Sequence, residues 1–277
     1  MDTSFRERCI ALRKEGCSIL EIMRATGRPK TSVYAHIHDL PLSEERVKEI
    51  RKASGKRIRV FGSARKGTSA RPFVRFEEWN AESVLLVAHL SFDGGLGHGK
   101  CEYNNRSESL IDRVEGLMRP VYGFEPKRYR NLATGVQRIS YFNVPLALYF
   151  KEKSDGLLLQ ISEMPLDLKR EFLRAFFDDE GCMDFRPLRN HRRIRGYQKK
   201  TRVLYIVQGL LKDFGIDAHV KKPNEVVIHG KENLIRFQKE INFSPGVRIN
   251  GNRSNSIWKE SLEKRELLQR AIDSFRS

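Results

Sequence analysis

Acidic residues are in short supply in this 277-residue chain. Asp and Glu number 35 against 52 Lys and Arg, for a formal charge of +17 and a pI near 9.9. Such an excess of cations argues against an acidic or charge-balanced partner surface and favours a polyanion, with nucleic acid the first candidate. Long apolar runs are also missing. Stretches such as Val84–Leu90 fall far short of the roughly 20 residues that span a bilayer, so no transmembrane helix is expected. Four cysteines, Cys9, Cys17, Cys101 and Cys182, are scattered without framework spacing, which excludes a disulfide scaffold and fits a reducing compartment. No basic-then-apolar leader opens the chain, and a cytoplasmic protein is expected. His98 and Cys101 are the one His/Cys pair at ligand spacing, and one pair does not make a zinc site. No Ser/His or Cys/His nucleophile pattern stands out. What is present is 39% apolar and 31% charged residues, enough for a core under a heavily charged surface.

The first 41 residues read as a small helical domain. Phe5, Cys9, Ile10 and Leu12 recur at near-helical spacing, and Gly16 stops that helix. Ser18 with Glu21 three residues on is a capping-box start for a second helix with Ile19, Ile22 and Met23 on its apolar face, ended by Gly27. Thr31 or Ser32 then caps a third helix carrying Val33, Tyr34 and Ile37. Helix, short glycine turn, helix is the helix-turn-helix order, and Ser18–Leu40 resembles the helix-turn-helix of resolvase-like and transcription-factor proteins. In that arrangement Lys30, Thr31, Ser32 and Tyr34, at the start of the third helix, enter the DNA major groove. Residues 42–75 turn strongly basic. They read as a helix from about Ser43 to Ala53, then a flexible linker able to follow a phosphate backbone.

The remainder contains an internal repeat. Val114-Glu115-Gly116-Leu117-Met118-Arg119 followed by Tyr122-Gly123-Phe124 matches Val207-Gln208-Gly209-Leu210-Leu211-Lys212 followed by Phe214-Gly215-Ile216. Upstream of each, a helix ends in an acid and a glycine, Asp93-Gly94 and Glu180-Gly181. Two copies at a long period indicate duplicated lobes, not a solenoid. Strands are expected at Lys100–Tyr103, near Glu125 and at Arg138–Phe142 in lobe one, and at Gly181–Phe185, Asp217–Lys222 and Glu225–His229 in lobe two. The fold class is α+β, with mainly antiparallel sheets.

The acidic helix ends are the most informative feature. In Leu173-Arg174-Ala175-Phe176-Phe177-Asp178-Asp179-Glu180-Gly181 three acids stand at a helix C-terminus, where the helix dipole disfavours anions by up to about 1 kcal/mol each. A compensating cation resolves the conflict. Two such helices packed side by side bring Asp93 and Glu180 together, and paired carboxylates bind Mg²⁺ and support metal-assisted hydrolysis at a phosphodiester. Gly94-Gly95-Leu96-Gly97-His98-Gly99-Lys100 has the glycine and lysine spacing of a phosphate-binding loop, but Cys101 occupies the place of the Mg²⁺-ligating Ser or Thr. A capped helix leading into a glycine-rich strand explains it better, with Gly94 in the left-handed capping conformation.

Leu173–Gly181 resembles the LAGLIDADG motif of homing endonucleases, and Leu86-Val87-Ala88-His89-Leu90-Ser91-Phe92-Asp93-Gly94 resembles a weaker first copy. The motif's final acid falls on Glu180 and on Asp93. The resemblance covers roughly Phe76–Phe243. It implies a single chain of two pseudo-symmetric lobes, 76–160 and 161–277, whose motif helices meet at a pseudo-twofold axis. It also implies saddle-shaped antiparallel sheets in the major groove, and Asp93 and Glu180 as catalytic ligands of Mg²⁺ or Mn²⁺. The implied activity is cleavage of double-stranded DNA by a monomer. Small residues suit the close helix contact, and Ala88 and Ala175 supply them, whereas His89, Phe92 and Arg174 are bulky. Family members complete the site with a basic or polar residue from each lobe; Lys100 or Arg138 in lobe one and Arg248 and Lys259 in lobe two are the candidates. Arg186, Arg189, Arg192, Arg193, Arg195, Lys199 and Lys200, with Gln198, form a basic stretch suited to phosphates and base edges. The alternative is a non-cleaving DNA-binding regulator, or an RNA maturase, built on the same domain with a helix-turn-helix.

Overall fold

A computed structural model of the chain describes residues 3–64, 70–97, 99–249, 251 and 257–275. The chain divides into two units, Met1–Ser69 and Ala70–Ser277.

The first unit is all helical: α1 (Thr3–Lys14), α2 (Ile19–Thr26), α3 (Lys30–Ile37) and α4 (Glu44–Ala64). Cys9, Ile22, Val33 and Ile37 form its small core. Ser18 and Glu21 make the expected capping box on α2, and Gly27, at φ 65°, closes it in the left-handed region that glycine reaches without steric cost. Arg46 ties α4 back to the bundle by donating to the Gly16 carbonyl at 3.0 Å and pairing with Glu21. Two expectations are corrected here. α3 starts at Lys30 after Pro29, without a side-chain cap, so Thr31 and Ser32 lie in its first turn. α4 runs through Ser54 and Gly55 to Ala64, where a linker was expected. Two weak helix formers cost only about 1 kcal/mol or less each, which an otherwise favourable helix absorbs. The part of the expected linker at 65–69 lies outside the described residues.

The second unit builds the same order of elements twice. The first copy is α5 (Ala81–Phe92), β1 (Gly94–Gly97), β2 (Lys100–Asn105), α6 (Glu108–Met118), β3 (Lys127–Arg130), β4 (Gln137–Tyr141) and α7 (Val144–Gln160). The second is α8 (Leu166–Asp179), β5 (Gly181–Arg186), β6 (His191–Tyr197), α9 (Thr201–Asp213), β7 (Ala218–Lys221), β8 (Glu225–His229) and α10 (Lys231–Glu240). A further helix, α11 (Lys264–Asp273), has no counterpart in the first copy. Each copy folds a four-stranded antiparallel sheet with matching strand order, β1-β2-β4-β3 and β5-β6-β8-β7. The fold is therefore α+β, as the period-2 and period-3.6 segments indicate.

One continuous apolar core runs through both copies. α5 and α8 pack side by side at its centre, with Ala88 and Ala175 fully buried. The bulky neighbours are absorbed individually. Phe92 stands edge-on to Phe172 and Phe176, and Arg174 turns outward to Glu171 and the Ile241 carbonyl. Gly94 and Gly181 serve a different purpose from the one expected. Neither has positive φ; a Cβ there would stand 2.1 Å from the Leu90 carbonyl oxygen and 2.3 Å from that of Phe177. Glycine lets the chain leave the helix against its own last turn and enter β1 or β5 directly.

Candidate acidic site and basic sheet faces

The C-termini of α5 and α8 deliver Asp93 and Glu180, each the C-cap residue of its helix. Each carboxylate is held by an amide from the end of the second strand of its own copy, or the residue after it. Asn105 donates to Asp93 Oδ2 at 2.7 Å, and Gln198 donates to Glu180 Oε1 at 3.1 Å. The backbone repeats the match: Asn104 N donates to the Asp93 carbonyl and Tyr197 N to the Glu180 carbonyl. Burial pushes the Asp93 carboxyl up to about 8, helped by the charges of Asp179 and Glu180, against Lys264 and the Asn105 hydrogen bond. Burial, then Asp179, pushes Glu180 up to about 7. Negative charge at this place is thus under-compensated by the protein.

Asp179 joins the two copies. Its carboxylate accepts from Tyr103 Oη at 2.6 Å and lies 2.9 Å from His89 Nδ1, and both His89 and Asp179 are fully buried. Both oxygens are thereby committed within the protein. Asp178 is also structural, accepting the Ser244 amide at 2.9 Å.

Sequence reasoning missed Lys264. Its ammonium is buried and donates to the carbonyls of Phe177 at 3.2 Å and Asp178 at 2.6 Å. These are last-turn carbonyls of α8, where the dipole and the three acids concentrate negative potential. Burial lowers the Lys264 pKa, and the neighbouring acids oppose that. The compensating cation sought at this helix end is thus, at least in part, a lysine from α11. Asn105 was missed too; only its place at a strand end, seen in three dimensions, reveals it.

A cavity of about 650 Å³ opens beside the acids, lined among others by Asp93, Asn105, Arg195, Arg248, Trp258 and Lys264. Glu180 is not part of its lining. Of the four basic candidates, Arg248 alone lines this cavity, and it donates to the Ser261 carbonyl at 2.7 Å. Lys259 has φ 53° and lies outside the lining. Lys100 and Arg138 sit instead on the solvent face of the first sheet, Lys100 paired with Glu102 at 2.6 Å and Arg138 donating to Asn104 at 2.6 Å.

The solvent face of the second sheet gathers much of the basic stretch. Cross-strand register places Asp184 opposite Arg193 and Cys182 opposite Arg195. Arg186 and Arg193 pair with Asp184 at 2.8 Å each, and Arg195 reaches Asp184 and Glu225. Burial pushes the Asp184 carboxyl up, but the hydrogen bond from Arg193 and the charges of Arg186 and Arg193 outweigh it and hold it below the usual range. Arg192 points away from this set to Ser274 and Asn190. Arg189, Lys199 and Lys200 are exposed. In the first unit Lys30, Thr31 and Tyr34 are exposed at the start of α3, and Ser32 is half-buried. No helix among the described residues is long and apolar enough to cross a membrane.

Duplicated four-stranded antiparallel sheets on a central helix pair, with an acid at each helix end, define the class. Residues 167–242, within the second copy, match the family model of the LAGLIDADG-like domain. Among solved structures, the homing endonuclease I-DmoI in complex with DNA and Mn is similar at 17% identity over 58% of this chain and 96% of that one, with a TM-score of 0.44. The N-terminal LAGLIDADG domain of DUF199/WhiA is similar at 17% identity over 62% of this chain and 88% of that one, with a TM-score of 0.45. Full-length DUF199/WhiA from Thermatoga maritima is similar at 16% identity, with a TM-score of 0.47; the match covers 73% of this chain and 63% of that one. No curated protein sequence matches the chain.

Proposed function

We propose that the second unit is a divalent-metal-dependent endonuclease acting on double-stranded DNA, and that the helices of the first unit add DNA contacts. The observation that carries this reading is the pair of helix ends. Asp93 and Glu180 each stand before a glycine that admits no Cβ, and each is gripped by an amide of its own copy. Their raised pKa values show that burial disfavours both ionised carboxylates in the protein alone, which a cation placed beside them would offset.

Among the described residues no group of three or more His, Cys, Asp or Glu side chains could hold a metal. Two carboxylates nevertheless fit Mg²⁺ or Mn²⁺ of the kind held by one or two acids together with a substrate phosphate. Such a cation would lower the pKa of water and stabilise the departing oxygen. The chain's own residues do the rest. Asp93 and Glu180 hold the cation, Asn105 and Gln198 fix their rotamers, and Lys264 keeps the end of α8 in place. The exposed Arg189, Lys199 and Lys200 meet phosphates, as do arginines of the second sheet face, and the start of α3 enters a major groove through Lys30, Thr31, Ser32 and Tyr34.

Glu180→Gln removes one metal-holding oxygen and one charge while keeping shape and the amide contact. The variant is expected to bind a selected DNA duplex as wild type does and to lose cleavage in Mg²⁺ or Mn²⁺. Wild-type protein that cuts no duplex in a broad target library with either metal would overturn the reading. A second reading, a non-cleaving DNA-binding regulator, is favoured by the commitment of Asp179 to His89 and Tyr103 and by the exclusion of Glu180 from the cavity lining. Sequence-selective binding without cleavage in the same library would establish it.

A further inference from the structure

We propose that a second cleft, on the helical side of the Ala70–Ser277 unit, binds a phosphoryl oxyanion. The cleft measures about 320 Å³, and helices and the loop after α10 line it; no strand residue contributes. Three guanidiniums face it: Arg113 from α6, Arg174 from α8 and Arg265 from α11. Glu171 is the one carboxylate in the lining, so the lining is net cationic by two charges.

The local pairs use part of this charge and leave Arg265 its own. Arg174 Nη1 takes both oxygens of Glu171, at 2.6 and 2.8 Å, and its Nε donates to the Ile241 carbonyl at 3.2 Å. Arg113 reaches Asp178 only at 3.4 Å, and Asp178 already accepts the Ser244 amide. Arg265 is half-buried and makes no hydrogen bond or ion pair among the described residues. The side chains of Arg113 and Arg174 are 25% and 29% exposed, so the group is partly withdrawn from solvent screening. Guanidinium forks match the tetrahedral oxygens of phosphate, and with Asp178 counted beside Arg113 the group keeps a surplus of one positive charge. The ligand would also bridge the duplicated copies, because Arg113 belongs to the first and the other two arginines lie beyond it. The lining includes neither Asp93 nor Glu180, although Arg113 and Ser244 reach Asp178 at the end of α8, and the site does not rest on the endonuclease reading.

The same phosphoryl group is available from a free phosphate or from a nucleic-acid backbone. Full-length protein is titrated calorimetrically with inorganic phosphate against chloride of equal ionic strength, as wild type, Arg265→Gln, Arg113→Gln and Lys151→Gln. Lys151 is an exposed lysine on α7 and controls for lost charge. Saturable phosphate binding is expected in wild type and Lys151→Gln. Arg265→Gln, whose side chain makes no hydrogen bond or ion pair among the described residues, is expected to weaken it about tenfold or more, the loss of one charge-assisted hydrogen bond. Arg113→Gln gives the same test from the other copy. A second arm measures a short DNA duplex. If Arg265→Gln weakens the duplex and phosphate competes with it, the site takes backbone phosphates; if duplex affinity is unchanged while phosphate binding falls, it takes free phosphate. Phosphate heat no greater than chloride heat, or equal phosphate affinity in wild type and Arg265→Gln, overturns the proposal.

Discussion

Replacing Lys264 by methionine tests the account of how the acidic helix end is tolerated. Methionine keeps the apolar stem and removes the ammonium. The carbonyls of Phe177 and Asp178 then lose a donor in a place closed to water. Both belong to the last turn of α8, where carbonyls lack full intrahelical partners; Phe177 receives the Glu180 amide, shared with Phe176. Hydrogen bonds to a charged group are worth about 1.5–3 kcal/mol each, and removing one partner of a buried charged set costs about 3–5 kcal/mol, which already includes most of the first figure. For a unit of this size each kcal/mol moves the melting temperature by about 2–4 °C, so a fall of roughly 6–20 °C is expected. Calorimetric melting of the full chain at neutral pH, with a urea midpoint as a second measure, reads it directly. Lys264 also holds the Asp93 and Glu180 carboxyls down, so both are expected to titrate still higher in the variant. A variant that melts within a couple of degrees of wild type would refute the idea that this lysine supports the end of α8.

Other outcomes follow from the same geometry. Gly196→Ala places a Cβ 2.3 Å from the ring of Phe176, and a destabilisation of about 1–3 kcal/mol is expected in a urea melt; an unchanged midpoint would mean that β6 does not lie directly on α8. Asp184→Asn removes the charge that holds Arg186 and Arg193, while Arg195 keeps Glu225, and is expected to tighten non-specific DNA binding and steepen its salt dependence by about one phosphate equivalent; an equal slope across a salt series would argue that this sheet face does not meet DNA. Because the folded pKa of Asp184 is lowered, its stabilising contribution is present above the unfolded carboxylate pKa and is lost as pH falls through the folded value, so acid melts of wild type should show a loss that Asp184→Asn lacks. Deleting residues 1–69 should weaken binding to a selected duplex without abolishing it and flatten the salt dependence; equal affinity and equal slope would remove the first unit from the DNA interface.

Local pattern alone determined much of this protein. Apolar spacing and capping residues located α2, α5 and α8, and the acid-glycine pairs at Asp93-Gly94 and Glu180-Gly181 exposed the duplication, because these are signals carried by neighbours in the chain. The glycine-rich strand after α5 was expected from the repeat, but Gly94-Gly95-Leu96-Gly97 has no β-branched or alternating pattern of its own, and its register is set by pairing with β2. The continuation of α4 through Gly55 escaped for the same kind of reason, since a propensity minimum is a weak term against a long helix. Which polar groups meet was decided only by tertiary structure. Lys264 stands 84 residues beyond Glu180 in a helix outside the repeat, and nothing in its neighbours marks it as the support for α8. Gln198 was legible as a polar residue in a basic stretch, but that it grips Glu180 depends on where β6 ends. His89 and Asp179 contradict the small-residue rule for packed helices one at a time. Together they fill the space, with the His89 Nδ1 and the Asp179 carboxylate meeting at 2.9 Å while the His89 Nε2 stays buried without a partner among the described residues, and a match between two side chains 90 positions apart is not written in either segment.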